Sequence, residues 1–350
     1  MNDSSRGQDA RRAGLIASMG AGLDSYGERV RDKTRTKVLF ARIARWVWVV
    51  LRMVLMVGIS FILLYPLLYM LSMSFRPSGE IFDPTVIWIP RTFTLDNFKG
   101  AMASLQFGDS VRNTMLISIV SSMIQVVTCS LTGYGFARFK FRGRGLLFGV
   151  LLFTIILPPQ TIIIPQYLIN VNFDFFGILS AARMMGAGVK MPNLLNEPWA
   201  FYLPALLGQG IRSGLLIYIY RQFFRGMPKE LEDAAYIDGA GPAKAFIRVI
   251  APNSGAAFLT VFLFSSVWYW NDFFFSSMFL SDRQTLAMRL SSMRALLRLT
   301  TIAGQIVDDP YMFVTRLQAG CLLTILPVLA VYIIFQRFFT ESIEKTGIVG

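Results

Sequence analysis

Two places in this 350-residue chain combine residue types and spacings that bear on function. The first is Arg225-Gly-Met-Pro228-Lys-Glu230-Leu-Glu232-Asp233-Ala234-Ala235-Tyr-Ile-Asp238-Gly239-Ala. The second is Trp268-Tyr-Trp270-Asn271-Asp272, inside an otherwise apolar run. Neither has the composition of a catalytic centre. The chain contains no histidine, which excludes Ser-His-Asp and Cys-His nucleophiles and histidine-ligated zinc or haem. Its two cysteines, Cys129 and Cys321, both sit in apolar runs, with no disulfide framework and no metal-ligand spacing. No GxxxxGK[ST] phosphate loop occurs, so the chain cannot itself supply ATP hydrolysis. No catalytic residue, metal ligand or resident cofactor is assigned.

The first stretch suits docking. Pro228 fits the first helical position, and Glu230, Glu232 and Asp233 place negative charge where the helix dipole favours it. Gly239 is a natural helix stop. The spacing predicts a helix over Lys229–Asp238, on the order of 15 Å long, with Leu231, Ala234, Ala235 and Asp238 on one face. That face is too small to fill a core, and it lets another protein's backbone come close. The bland alternative is a solvated connector.

The second stretch has two readings at each position. A charge at mid-bilayer costs roughly 2.5–3.5 kcal/mol or more unless it faces a cavity or partner. Asp272 is therefore either functional or close to the outer water interface. Trp268 and Trp270 read as an interfacial aromatic belt, or as faces on which a sugar ring stacks, with Asn271 offering donors and acceptors beside them. Elsewhere, Arg212 lines a path, snorkels to the outer surface or is covered by a partner. Pro158-Pro159 must break or kink a helix. The freed carbonyls are tolerated only against protein or water. This leaves a pathway-lining helix with Gln160 available to hydrogen-bond, or a simple packing kink.

These positions belong to a membrane protein. Hydrophobic residues make up 54% and charged residues 16%, against about 45–50% and about 25% in soluble domains. Six runs reach the length needed to span a bilayer as helices: 46–71, 114–137, 146–169, 199–220, 255–280 and 317–336. The net charge is +13, and ten of the 34 basic residues, against five acids, fall in a Gly- and Ser-containing tail over residues 1–45, expected to be disordered beside anionic lipid rather than bound to nucleic acid. Further cations, Arg138, Lys140, Arg142 and Arg144, crowd a short loop, and more follow in loop 221–253. The positive-inside rule then places both termini in the cytoplasm. The long loop Asn170–Pro198 lies outside, with a short helix possible over Ser180–Gly188. No internal repeat is evident.

The docking stretch resembles the EAA loop of permease subunits of binding-protein-dependent ABC importers. The family signature is Glu-Ala-Ala, three residues, Gly, nine residues, then Ile-x-Leu-Pro. Here Asp233-Ala234-Ala235 leads, Gly239 follows at the right offset, and Val249-Ile-Ala251-Pro252 closes it. Asp233, Val249 and Ala251 depart from the family residues, and Glu232 is a second candidate for the acid's role. Ser74-Phe75-Arg76-Pro77, the Gly135–Gly143 junction, Leu157-Pro158-Pro159-Gln160, Pro165 and Trp270-Asn271-Asp272-Phe273 are similar to the carbohydrate-uptake branch, the maltose permease type. The resemblance covers roughly Arg45 to Gly350. It implies an all-α membrane protein with the six-helix type I importer permease fold in a bacterial-type inner membrane. It further implies a second permease chain, two ABC ATPase subunits that bind the ATP, and an extracytoplasmic solute-binding protein. The function it implies is a pathway for a sugar or oligosaccharide. A secondary transporter would normally show repeat symmetry and paired intramembrane acids. A lipid-modifying membrane enzyme would need clustered acids or histidines. Both are the weaker readings.

Overall fold

The computed structural model describes residues 42–86, 88–186, 188–299 and 310–346. Apart from residues 42–45, the basic tail lies outside the described residues, as do residues 347–350. Among the described residues there is no strand. The chain divides into two units, 1–69 and 70–350. The first holds most of α1 (Arg42–Ser74), whose most apolar window is unburied within the chain. A helix that is apolar on all sides and covered by nothing is one built for lipid or another subunit.

The larger unit is organised around α3 (Phe107–Arg138). Its inward stripe is small and polar: Ser110, Thr114, Ser118, Ser121, Gln125, Cys129 and Gly133 are buried at helical spacing. Leu116, Ile119, Met123, Val127 and Leu131 point outward and are exposed. In lipid, small inward residues let helices approach closely while bulky apolar ones meet the hydrocarbon. Gly133 makes this concrete, because a Cβ there would lie 2.6 Å from the Cβ of Tyr220. Tyr220 belongs to α8 (Ser213–Gly226), which packs on α3 together with α11 (Gly255–Trp270). Gln125 ties the three together. Its amide nitrogen donates to the Ile211 carbonyl at 3.1 Å and to Ser213 Oγ at 2.7 Å, and its oxygen accepts from Ser265 Oγ at 2.5 Å. A separate apolar cluster joins α2 (Asp96–Leu105), α13 (Leu286–Leu299) and α14 (Pro310–Thr346) through Leu105, Met293 and Ala319.

Six spans were expected, the third broken or kinked at Pro158-Pro159, and the helices are interrupted at more places than that one. Arg42–Ser74, Phe107–Arg138 and Met312–Gln336 are each long and apolar enough to cross a membrane, and two bent pairs would bring the number to five. The third expected span splits into α4 (Arg144–Ile156) and α5 (Pro159–Val171), bent by 103°. Pro158 is extended, and a residue before proline is pushed out of the helical region, which stops α4 at Leu157. The fourth splits into α7 (Trp199–Leu206) and α8, of eight and 14 residues, separated by a non-helical segment in which Gly208 and Arg212 have positive φ. The fifth ends at Trp270, and a short α12 (Phe274–Phe279) follows. On its other side, α10 (Pro242–Asn253) meets α11 at an 80° bend. In the loop over Asn170–Pro198 the short helix is α6 (Ile178–Met184), two residues earlier at its start than expected. Asp174 caps it, accepting from Leu179 N at 2.8 Å and from the Ser180 backbone and hydroxyl.

Candidate functional site: a clamped loop helix and a cavity at a helix break

The docking helix forms as α9 (Glu230–Ile237), flanked by Lys229 and Asp238. Glu230, Glu232 and Asp233 fall in its first turn, as the dipole favours. Pro228 precedes the helix instead of occupying its first position. The helix ends at Gly239, φ +74°, in a six-residue stop: Gly239 N donates to Tyr236 O at 3.0 Å and Ala240 N to Ala235 O at 2.9 Å. Only a residue tolerant of left-handed backbone closes that pattern without strain. The chain then turns into α10, whose Phe246 and Ile250 are buried. Phe246 packs on Tyr134 at 4.8 Å between ring centroids, and Tyr134 also meets Phe224 edge-on at 5.7 Å. Pro252 sits in the last turn of α10, just before the bend into α11. This aromatic joint fixes the loop to the ends of α3 and α8.

An ion pair fixes α9 itself. Arg138, the last residue of α3, places Nε 2.8 Å from Glu232 Oε1, with both side chains almost fully buried at 6% and 8% exposure. The contact is electrostatic and is not aligned as a hydrogen bond. Arg138 also donates from Nη2 to the Met227 carbonyl at 2.8 Å, so one guanidinium holds both α9 and the chain leading into it. A buried pair of this kind is weak evidence for stability, but removing one partner leaves an unpaired charge in a dry site.

The four-residue face expected of α9 is divided. Ala235, three residues from Glu232, shares its face and is buried at 7% exposure. Leu231, Ala234 and Asp238 remain exposed, joined by Ile237 at 86%, and by the acids Glu230 and Asp233. The outward surface is thus Leu231, Ile237, the part-exposed ring of Tyr236, one methyl group and a fringe of carboxylates. Of the two candidates for the motif's acid, Glu232 does not reach it and Asp233 does. Arg138, which holds α9 through Glu232 and Met227, was not among the site residues expected from sequence. It stood in the junction motif, but nothing in sequence places it beside Glu232.

A cavity of about 390 Å³ opens where α4, α5, α7, α8 and α11 are interrupted or end. Of the pathway candidates, Pro158, Pro159 and Arg212 line it. Gln166, Pro204, Gln209, Tyr269, Phe275 and Phe279 line it too. Tyr269 accepts a hydrogen bond from Ile211 N at 3.2 Å. The remaining candidates stand elsewhere. Gln160 is exposed beside the proline break, outside that lining. Trp268 lies under Arg212, 4.9 Å from the guanidinium carbon to the ring centroid. Trp270 is buried and donates Nε1 to the Thr324 carbonyl at 3.1 Å, linking α11 to α14. Asn271 is exposed and donates to Val267 O at 3.0 Å. Asp272 caps α12, accepting from Ser276 N at 2.8 Å and Ser276 Oγ at 2.9 Å.

Residues 129–345 match the family described as "Binding-protein-dependent transport system inner membrane component". The chain belongs to that family. The matched region holds α9, its stop and the whole cavity. Among relatives, the arabinooligosaccharides transport system permease protein AraQ of Halalkalibacterium halodurans is 29% identical, covering 83% of this chain and 93% of the relative. The trehalose transport system permease protein SugB of Mycobacterium tuberculosis is 28% identical over 82% of this chain and 93% of the relative. A crystal structure of a bacterial ABC transporter involved in the import of the acidic polysaccharide alginate contains a chain of the same fold. It has a TM-score of 0.62 at 20% identity, covering 84% of this chain and 96% of that one. The protein is therefore an all-α membrane permease of the importer type, an inner-membrane component of a binding-protein-dependent transport system.

Proposed function

We propose that this chain is one of two permease subunits of an ABC importer and forms part of the pathway for a sugar or oligosaccharide. The observation that carries this reading is α9, a helix clamped at Glu232 with an outward surface of Leu231, Ala234, Ile237 and Asp238, which the reading places in the cytoplasm. Its shape suits a cleft in an ATPase subunit, which binds and hydrolyses the ATP. The names of the relatives, which concern arabinooligosaccharides and trehalose, support a saccharide as solute. An extracytoplasmic binding protein delivers it, and both termini face the cytoplasm. The second permease chain is a different, homologous subunit.

Coupling runs through α8. This helix starts at the cavity beside Arg212 and ends beside Met227, whose carbonyl Arg138 holds. At 1.5 Å per residue its 14 residues span about 20 Å. A shift of α9 driven by ATPase closure is passed along this rod to the break that lines the cavity. Two discrete packings biased by nucleotide suffice, with no covalent step. The test is Ala234→Arg, which adds bulk and charge on the outward face without disturbing the inner one. The subunit should insert normally, while uptake in proteoliposomes falls to background and the ATPases are lost or hydrolyse without transport. Normal uptake with normal ATPase retention would remove α9 as the coupling element.

A further inference from the structure

The cavity beside the α7–α8 break carries a charge that a neutral sugar does not need. Arg212 is the charged side chain in its lining among the described residues. The ion pairs among the described residues engage Arg91, Lys99, Arg138 and Arg283, and give Arg212 no carboxylate. We propose that this cavity binds a saccharide unit bearing an anionic substituent, a carboxylate or a phosphate, with Arg212 as its counter-charge. The proposal rests on the reading of this chain as part of a solute pathway.

The site is built to present that guanidinium. Its backbone is held in the left-handed region at φ 54°, where a non-glycine residue persists only if its surroundings hold it. They do so on both sides. Ile211 gives its carbonyl to Gln125 and its N–H to the Tyr269 hydroxyl, and Ser213 Oγ accepts from Gln125. Trp268 lies against the guanidinium, so a planar fork backed by an aromatic face keeps its edge for an anion. The volume of about 390 Å³ lies in the range of small-molecule sites. Phe201, Phe275, Phe279 and Tyr269 supply aromatic surface for the apolar faces of a sugar ring, and Gln166 and Gln209 supply amides for its hydroxyls. The Arg212 side chain is exposed in the chain, so its guanidinium is open to an incoming anion, and a charge-assisted contact to it is stronger than a neutral hydrogen bond.

The experiment uses the transporter purified with its own partner chains in nanodiscs, without binding protein. Three disaccharide probes are compared by equilibrium dialysis: glucosyl-glucose, its glucuronosyl counterpart, and the 6-phosphate of the first. At least one anionic probe should bind about tenfold or more tighter than the neutral one, the factor expected for one charge-assisted contact. Whichever anion wins identifies the substituent. R212Q should erase the preference, and R212K should retain part of it. Binding of the preferred probe should also perturb Trp268 emission, and W268F should remove that signal. Equal affinities, no binding by either anionic probe, or a preference that survives R212Q would each overturn the proposal. The comparison in the unaltered protein decides even if R212Q fails to assemble. Ile162→Trp, which fills the cavity from a lining position, separates this from the underlying reading. If it blocks uptake of the system's own solute while anionic and neutral probes bind alike, the anion preference falls and the pathway stands. If it leaves uptake unchanged, the pathway reading falls as well.

Discussion

Arg138 and Glu232 should behave as a unit, and the size of the effect follows from their burial. With side-chain exposures of 6% and 8% and a 2.8 Å separation, neither charge has water to fall back on. Removing one partner from such a pair typically costs about 3–5 kcal/mol, because the other stays buried and unpaired. Arg138→Met is the harsher change, since it strands the carboxylate and also frees the Met227 carbonyl. Glu232→Gln is milder, because the amide oxygen still faces the guanidinium and Arg138 keeps its bond to Met227. Replacing both together, Arg138→Met with Glu232→Leu, removes both desolvation costs and should restore most of the loss. Hydrogen exchange of the backbone over residues 230–240, in the assembled transporter, reads this directly. At 1.4 kcal/mol per tenfold, Arg138→Met should lower protection by about two to four orders of magnitude, or to the unprotected limit. The double variant should recover most of it. ATPase retention should follow the same order. Additive losses within about 0.5 kcal/mol, or unchanged protection in Arg138→Met, would refute the clamp. Recovered protection with transport still lost would show instead that Glu232 also serves the partner.

Two further outcomes are expected. Gly239→Val forces a β-branched residue to φ +74°, which should cost about 1–2 kcal/mol locally and fray the end of α9, read as faster exchange at Gly239 and Ala240 than in Gly239→Asn. The loops that carry Glu80 and Asp174 should loosen in acid. Hydrogen bonds from Thr92, outweighing the opposing effect of burial, hold the Glu80 carboxyl below its ordinary value of 4.5, and those from Ser180 hold Asp174 below 3.8. A depressed carboxylate stabilises the folded loop fully above its ordinary value and loses that contribution as pH falls through the lowered one. The protection factors of Thr92, Leu179 and Ser180, corrected for the intrinsic pH dependence of exchange, should therefore be unchanged from pH 7 to 5 and fall once pH drops below about 4, whereas a Thr92→Val variant should lose part of the Glu80 response.

The parts of this molecule legible in the sequence were those encoded locally. The stop at Gly239, the acids of α9 and the break at Pro158-Pro159 each follow from a few adjacent residues. The fourth span shows where local reading fails. Gly208, Gly210 and Arg212 thin out its apolar run, but by themselves they do not say where the segment leaves the helix. What holds it open is Gln125, 86 residues away from Ile211, with Ser265 a further anchor. A lone amide in an otherwise apolar run was the signal to follow, because such a group in a membrane core must find a partner. The assignment of Ala235 failed for a related reason. A helical wheel reports which residues share an arc of α9, but only the position of Arg138 decides which arc faces inward.

The same distinction sorts the pathway candidates. Asp272 attracted attention as a charge in an apolar run, but its carboxylate accepts from Ser276 N–H and Oγ and caps the short helix that follows the fifth span's break. Trp270 is similarly committed, its indole N–H given to Thr324. Arg212 has no such commitment to a carboxylate, and the cavity lies where three of the expected spans are interrupted. In a membrane, interrupted helices require backbone groups to be satisfied by neighbouring protein or by water. Gln125 and Tyr269 meet that requirement on the protein side of the α7–α8 break, which leaves the opposite side free to line a solute-sized space. The breaks that interrupt the apolar runs are thus the same features that open the cavity.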